Sequence, residues 1–162
     1  MTVDDLDDMA ELLADPAVMA YYPSVKSRVE ASRWIDWNLA NYERDGYGLW
    51  VIESLEGEFL GDCGLTWQEV NGTPALEVGY HVRSVMQGRG FATEAASACR
   101  DFARDQTEEM QLVAIIHPEN IASRRVAEKI GMYRLDDERG GVLTRHVMGM
   151  SLAPETIDGS AR

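Results

Sequence analysis

Cysteine, histidine and positive charge are all scarce in this chain, and each scarcity removes a class of function. Only two cysteines, Cys63 and Cys99, and three histidines occur among 162 residues. Neither cysteine has the spacing of a metal ligand or of a disulfide framework, so both are expected as buried free thiols and no metal is expected. Fifteen basic residues face 28 acidic ones, for a formal net charge of −13, which argues against direct nucleic-acid binding. No apolar run approaches the roughly 20 residues needed to span a bilayer, and no basic-then-apolar leader is visible. The expectation is a cytoplasmic protein without membrane association. The Gly-x-x-x-x-Gly-Lys-Ser/Thr pattern of a P-loop is also missing.

What remains is ordinarily globular, with 45% apolar and 27% charged residues. The length suits one domain with a genuine core, placed over 1–153, followed by a flexible tail over 154–162. The charge is unevenly spread. Residues 1–80 hold 16 acidic and 4 basic side chains, whereas residues 81–162 hold 12 and 11. This asymmetry fits a two-sided protein, with an anionic ligand near the second half and a cationic one near the first, although chance drift of surface charge explains it equally well.

Leu6, Met9, Ala10 and Leu13 recur at helical spacing, and Asp15-Pro16 stops that helix. Ser27-x-x-Glu30 is a capping box opening a second helix with Ala31, Trp34, Ile35, Leu39 and Tyr42 on its apolar face, ended by Asp45-Gly46. Three strand-like runs follow, 48–53, 59–68 and 75–82, joined by turns at 55–58 and 71–74. A third helix carries Ala92, Ala95, Ala96, Cys99, Phe102 and Ala103. The run 112–117 reads as a buried central strand, and a fourth helix from about Asn120 to Ile130 turns Ala122, Val126, Ala127 and Ile130 inward before Gly131. A final hairpin, 132–136 and 142–152, turns around Gly140-Gly141. The order predicts an α/β layered domain with a mixed sheet, an antiparallel meander followed by a parallel strand–helix–strand unit, flanked by about four helices.

The most informative stretch lies between the third strand and the third helix. There Gln87-Gly88-Arg89-Gly90-Phe91-Ala92-Thr93 forms a glycine-bearing loop that opens a helix. Glycines allow a tight backbone, and the unpaired N–H groups at a helix start bind phosphate oxygens. A dinucleotide reading would use Gly88 and Gly90, with Glu119 as ribose ligand. It lacks a small residue three places after Gly90, where Thr93-Glu94 stands, and its unit sits in mid-chain behind a meander.

The pattern Gln87-x-x-Gly90-x-Ala92 resembles the pyrophosphate-binding loop of the GNAT superfamily of N-acetyltransferases. The segment 117–132, with Asn120, Ser123, Lys129 and Gly131, resembles one branch of it that includes enzymes acetylating ribosomal-protein N-termini. Asp15–Met19 and Gly57–Gly64 are also similar, and the likeness covers about 4–152. In one respect the chain departs from the branch: a short strand usually precedes the first helix, and here only Met1-Thr2-Val3 do.

The resemblance implies acetyl-CoA as co-substrate and direct attack by an amine within a ternary complex. Val82, Gln87, Gly88, Arg89, Gly90, Phe91, Ala92, Thr93, Asn120 and Ser123 would hold the cofactor, with the pantetheine between two splayed strands at 76–82 and 112–117. The backbone near Val78–Tyr80 would supply an oxyanion N–H group. Glu77 is the leading candidate for general base, because a partly dry cleft raises a carboxyl pKa. A solvated edge position or a cross-strand charge partner is an equally ordinary role for it. Ser123 is the candidate acid, with Tyr80 a third catalytic candidate that is as often aromatic filler. His81, His117 and His146 read as structural more readily than catalytic. The resemblance makes Tyr21, Tyr22, Trp34, Trp37 and Tyr42 candidates for the acceptor site, although core packing accounts better for most of them. The acceptor would be a small cationic amine such as a polyamine or aminoglycoside, or a peptide N-terminus, drawn by the acidic first half. A homodimer is plausible by the same resemblance, and a catalytically idle acyl-CoA sensor is the alternative.

Overall fold

The computed structural model describes residues 1–139 and 144–153; the expected Gly140-Gly141 turn and the tail from Pro154 lie outside the described residues. Helix α1 (Leu6–Ala14) buries Met9, Leu12 and Leu13. Helix α2 (Arg28–Asp45) begins at the expected capping box. The Ser27 hydroxyl accepts from the Glu30 N–H, and the Glu30 carboxylate accepts from the Ser27 N–H. It ends at Gly46 with φ 80°, a left-handed cap that a glycine adopts without strain. The meander consists of β1 (Leu49–Glu53), β2 (Phe59–Val70) and β3 (Thr73–Val82). Helix α3 (Phe91–Gln106), β4 (Gln111–Ile116) and α4 (Ile121–Lys129) follow, then the hairpin β5 (Tyr133–Glu138) and β6 (Arg145–Ser151).

The six strands form one mixed sheet in the order β1-β2-β3-β4-β6-β5, with β3 and β4 parallel and every other pair antiparallel. The β2–β3 turn is tighter than expected. Asn71 and Gly72, with φ 51° and 81°, make a two-residue hairpin turn, so Thr73 and Pro74 already belong to β3. Pro74 is tolerated there because it sits at the strand start, ahead of the pairing with β4 at Glu77.

Alternation along β2 and β3 separates two cores. Cys63, Leu65, Leu76 and Val78 face α3, whose buried side chains Ala96, Cys99 and Ala103 are small. Both cysteines are free and buried there, with sulfurs 3.5 Å apart. On the other face a second cluster joins α1 and α2 through Met9, Leu12, Leu13, Ala31 and Ile35. The expected inward face of α2 is corrected in one respect: Asn38 and Asn41 are buried as well. The Asn38 side chain accepts from the Leu49 N–H at 2.8 Å, while the Tyr42 hydroxyl donates to the Leu49 carbonyl. These side chains occupy backbone groups of β1, the sheet edge, which would otherwise be unpaired. No strand precedes α1 among the described residues; Val3–Asp5 form a single 3-10 turn. On α4, Ala122 is exposed rather than inward, with Ala127 and Ile130 carrying the packing.

Candidate active site

The parallel strands β3 and β4 share one register pair, Glu77 with Val113, and then separate. A cavity of about 500 Å³ opens along this divergence. From β3 it is lined by Glu77, Val78, Gly79, Tyr80 and His81, and from β4 and the following turn by Ala114–His117, Asn120 and Ser123. Tyr21, Tyr22, Trp34 and Trp37 enclose it from the α1–α2 side, and Arg145 from β6.

Glu77 sits where the strands part. Its Oε1 accepts from the Ile115 N–H at 3.1 Å, replacing a ladder bond that the departing backbone cannot make. Burial pushes its carboxyl up to about 7, against weaker opposing effects of that hydrogen bond, Arg145 and His81. The cross-strand charge partner weighed for Glu77 from sequence is corrected: its partner on β4 is a backbone N–H.

Tyr80 lies on the opposite face of β3. Its hydroxyl donates to the Ser123 carbonyl at 2.8 Å and ties β3 to the first turn of α4. Burial raises its pKa, so the phenol holds its proton. Asn120 is the N-cap of α4, accepting from the Ser123 N–H at 3.0 Å. Ser123 lines the cavity, and its hydroxyl has no hydrogen-bond partner among the described residues.

The glycine loop between β3 and α3 is the second candidate element. Gly88 and Gly90 have φ 75° and 94°, and a Cβ at either would meet nothing within 4 Å. The glycines are therefore needed for the left-handed backbone rather than for lack of room. Gln87 donates from its side chain to the Val82 carbonyl at 3.0 Å and closes the loop on itself. Gly90 caps α3 without a side-chain bond, and from Gly88 to Thr93 no backbone N–H has a partner among the described residues. Such a row of free donors at a helix start fits a diphosphate. Arg89 stands beside it, its guanidinium 5.2 Å from the Phe91 ring centroid and without an acidic partner among the described residues. Arg83 is paired with Glu11, and Arg124 with Glu128.

Three features escaped the sequence reading. His81 and Asp62 are joined within the buried sheet face, and Tyr22 reaches His81 from the α1–α2 loop. Nothing in the sequence links residues 19 and 59 positions apart; only the β2–β3 register, which pairs Asp62 with His81, could have suggested it. The acid excess of the first half also does not line the cavity, where Glu77 is the one carboxylate among the described lining residues. Tyr42, expected near the acceptor site, instead serves β1. No group of three or more His, Cys, Asp or Glu among the described residues is placed to hold a metal ion, and no described helix is long and apolar enough to cross a membrane.

The family model for the Acetyltransferase (GNAT) domain matches residues 1–133. The chain is 41% identical over 123 residues to the uncharacterised protein YkkB of Bacillus subtilis, spanning 75% of this chain and 72% of that one. An acetyltransferase from Agrobacterium tumefaciens superposes with a TM-score of 0.79 at 25% identity, covering 93% of this chain and 86% of its own. The protein yncA of Salmonella typhimurium, solved with acetyl-CoA, superposes with a TM-score of 0.76 at 20% identity over 99% and 96% of the two chains. With a family model spanning both the splayed strands and the glycine loop, this chain belongs to the GNAT acetyltransferase family.

Proposed function

We propose that this chain transfers an acetyl group from acetyl-CoA to a primary amine, by direct attack of the amine within a ternary complex. The observation that carries this reading is a raised-pKa carboxyl in the cavity where β3 and β4 part, in a chain whose β3–α3 loop carries a row of N–H donors without partners among the described residues. The N–H groups from Gly88 to Thr93, with Arg89, hold the diphosphate, and Asn120 bonds the pantetheine. The acyl end then lies beside Glu77. Past Glu77 the β3 edge has no ladder partner in β4, so a backbone N–H near Val78–Tyr80 is free to stabilise the thioester oxygen as it gains charge. Glu77 takes a proton from the incoming ammonium, directly or through water. The Ser123 hydroxyl protonates the departing thiolate, with Tyr80 fixing the backbone of Ser123 in place.

The acceptor enters between the aromatic side chains of the α1–α2 segment and Arg145. Candidates are a polyamine, an aminoglycoside, an amino acid or a peptide N-terminus. Two buried free thiols 3.5 Å apart suit a reducing, cytoplasmic setting.

The test is a CoA-release assay with acetyl-CoA across polyamines, aminoglycosides, amino acids and peptides. Turnover with at least one amine, abolished in the double variant Glu77→Gln/Ser123→Ala while CoA binding persists, is the expected result. Tight acetyl-CoA binding with no turnover on any amine replaces this reading with an acyl-CoA sensor.

A further inference from the structure

Beside Glu77 a second titratable cluster meets the cavity: Tyr22 and His81 line it, and Asp62 is buried behind them. Asp62 on β2 and His81 on β3 are register partners, on the same sheet face as Glu77. His81 Nδ1 lies 2.7 Å from Asp62 Oδ1, and His81 Nε2 lies 2.7 Å from the Tyr22 hydroxyl. Asp62 is fully buried, and its Oδ2 has no partner among the described residues. A carboxylate can only accept, so Nδ1 carries the imidazole proton. In the neutral ring that leaves Nε2 as a bare acceptor for the Tyr22 O–H. The connectivity is carboxylate, imidazole, hydroxyl, with the outer oxygen on the wall of the cavity that Glu77 also lines.

Amine acetylation gives such a chain a place by proton count. An alkylammonium becomes a secondary amide, so its nitrogen sheds two protons, and the coenzyme A sulfur takes up one. Glu77 accepts one of the two. Building on the transferase reading above, we propose that Tyr22 is a second catalytic group that accepts the other proton as the N–C bond forms, passing its own proton to His81 Nε2. Asp62 and His81 are positioning residues that act through it. As the thioester C–S bond breaks, Ser123 protonates the sulfur. One of the two collected protons restores Ser123, and the other leaves to solvent.

The surroundings of His81 suit this task. Asp62 on β2 and Glu77 on β3 face it with negative charge, Lys26 and Tyr22 face it from the α1–α2 loop, and the Trp34 ring from α2 meets it edge-on at 5.9 Å. Desolvation, the largest single influence, lowers its pKa, and Lys26 acts the same way. The charge and hydrogen bond of Asp62, with Glu77, outweigh them and leave it above 6.5. The imidazolium formed by the relay is thereby stabilised. The relay starts from the neutral ring, so turnover rises as pH climbs through this raised value.

A merely structural staple would hold the loop to the sheet without moving a pH profile. The test therefore uses Tyr22→Phe, which keeps the ring, and Asp62→Asn, which keeps the shape but removes the charge. The readouts are kcat against pH for an accepted amine, KM for acetyl-CoA, and thermal unfolding. The expected result is a fall in kcat of about 100-fold for Tyr22→Phe at unchanged KM for acetyl-CoA and unchanged Tm. Asp62→Asn should move the His81 limb of the profile to lower pH. Full kcat with a wild-type profile in Tyr22→Phe overturns the relay alone and leaves the transferase standing. A wild type silent with every amine overturns the transferase and the relay together. Independently of turnover, a ¹⁵N NMR spectrum of the wild type at pH 9 with the proton on Nε2 of His81 also overturns the relay.

Discussion

The Glu77 carboxylate accepts a hydrogen bond from the Ile115 N–H at the point where β3 and β4 stop pairing. One oxygen thus closes the apex of the cleft and stands in for a missing strand contact. A substitution that removes the acceptor will damage the fold as well as the chemistry, so the informative variant is Glu77→Gln.

That variant should behave differently at the two ends of the pH range. The folded carboxyl titrates at about 7 against an ordinary 4.5, so the folded state binds the extra proton between those values. Stability contributed by this group is present in acid and lost as pH rises through about 7. The penalty at pH 8 is on the order of 3 kcal/mol. Glu77→Gln, neutral throughout, should raise Tm relative to wild type at pH 8 and leave it nearly unchanged at pH 5. Thermal unfolding at both pH values checks this, and an equal shift at both refutes it.

Gly90 holds φ 94° at the head of α3. An alanine there adopts a left-handed backbone at a cost of about 1–2 kcal/mol, although nothing lies in the way of its Cβ. We expect Gly90→Ala to weaken coenzyme A binding by roughly tenfold, the equivalent of about 1.4 kcal/mol. Gly90→Asn should bind closer to wild type, because asparagine tolerates this region better. Calorimetric titration separates the two.

Arg89 has a different signature. It is exposed and carries no ion pair among the described residues, so the diphosphate contact proposed for it would be screened by salt. Arg89→Ala should raise the Kd for coenzyme A several-fold at low ionic strength, and the difference from wild type should shrink as salt is added. A salt-independent deficit in a titration series would show that the side chain acts through the loop's conformation instead.

Gly64 is constrained by space. A Cβ there would stand 2.0 Å from the Gly48 carbonyl oxygen, which belongs to the backbone entering β1 and cannot swing aside. Gly64→Ala should lower stability by more than about 2 kcal/mol by forcing β1 away from β2. Chemical denaturation measures it, and a loss below about 0.5 kcal/mol would mean that the sheet edge yields freely.

Helix boundaries were the most legible part of this chain, because local chemistry dictates them. Ser27 and Glu30 satisfy each other's backbone whatever lies around them, and Gly46 and Gly131 end helices through a backbone that other residues avoid. The glycine loop was legible for the same reason. The polar burial of Asn38 and Asn41 was not, since their partners are set by where α2 lands on the sheet. Nor could the sequence separate Tyr42, which braces β1, from the tyrosines that line the cavity.

By itself the sequence determined the order of elements, the glycine loop and its free N–H groups, and the family likeness, because each depends on residues close together along the chain. The tertiary structure alone decided what meets in the cleft. Glu77 finds the Ile115 N–H because two parallel strands part at that level. Asp62, His81 and Tyr22 join because strand register and a loop landing bring together side chains distant in sequence. Pairings of that kind follow from packing, which pattern and spacing do not encode.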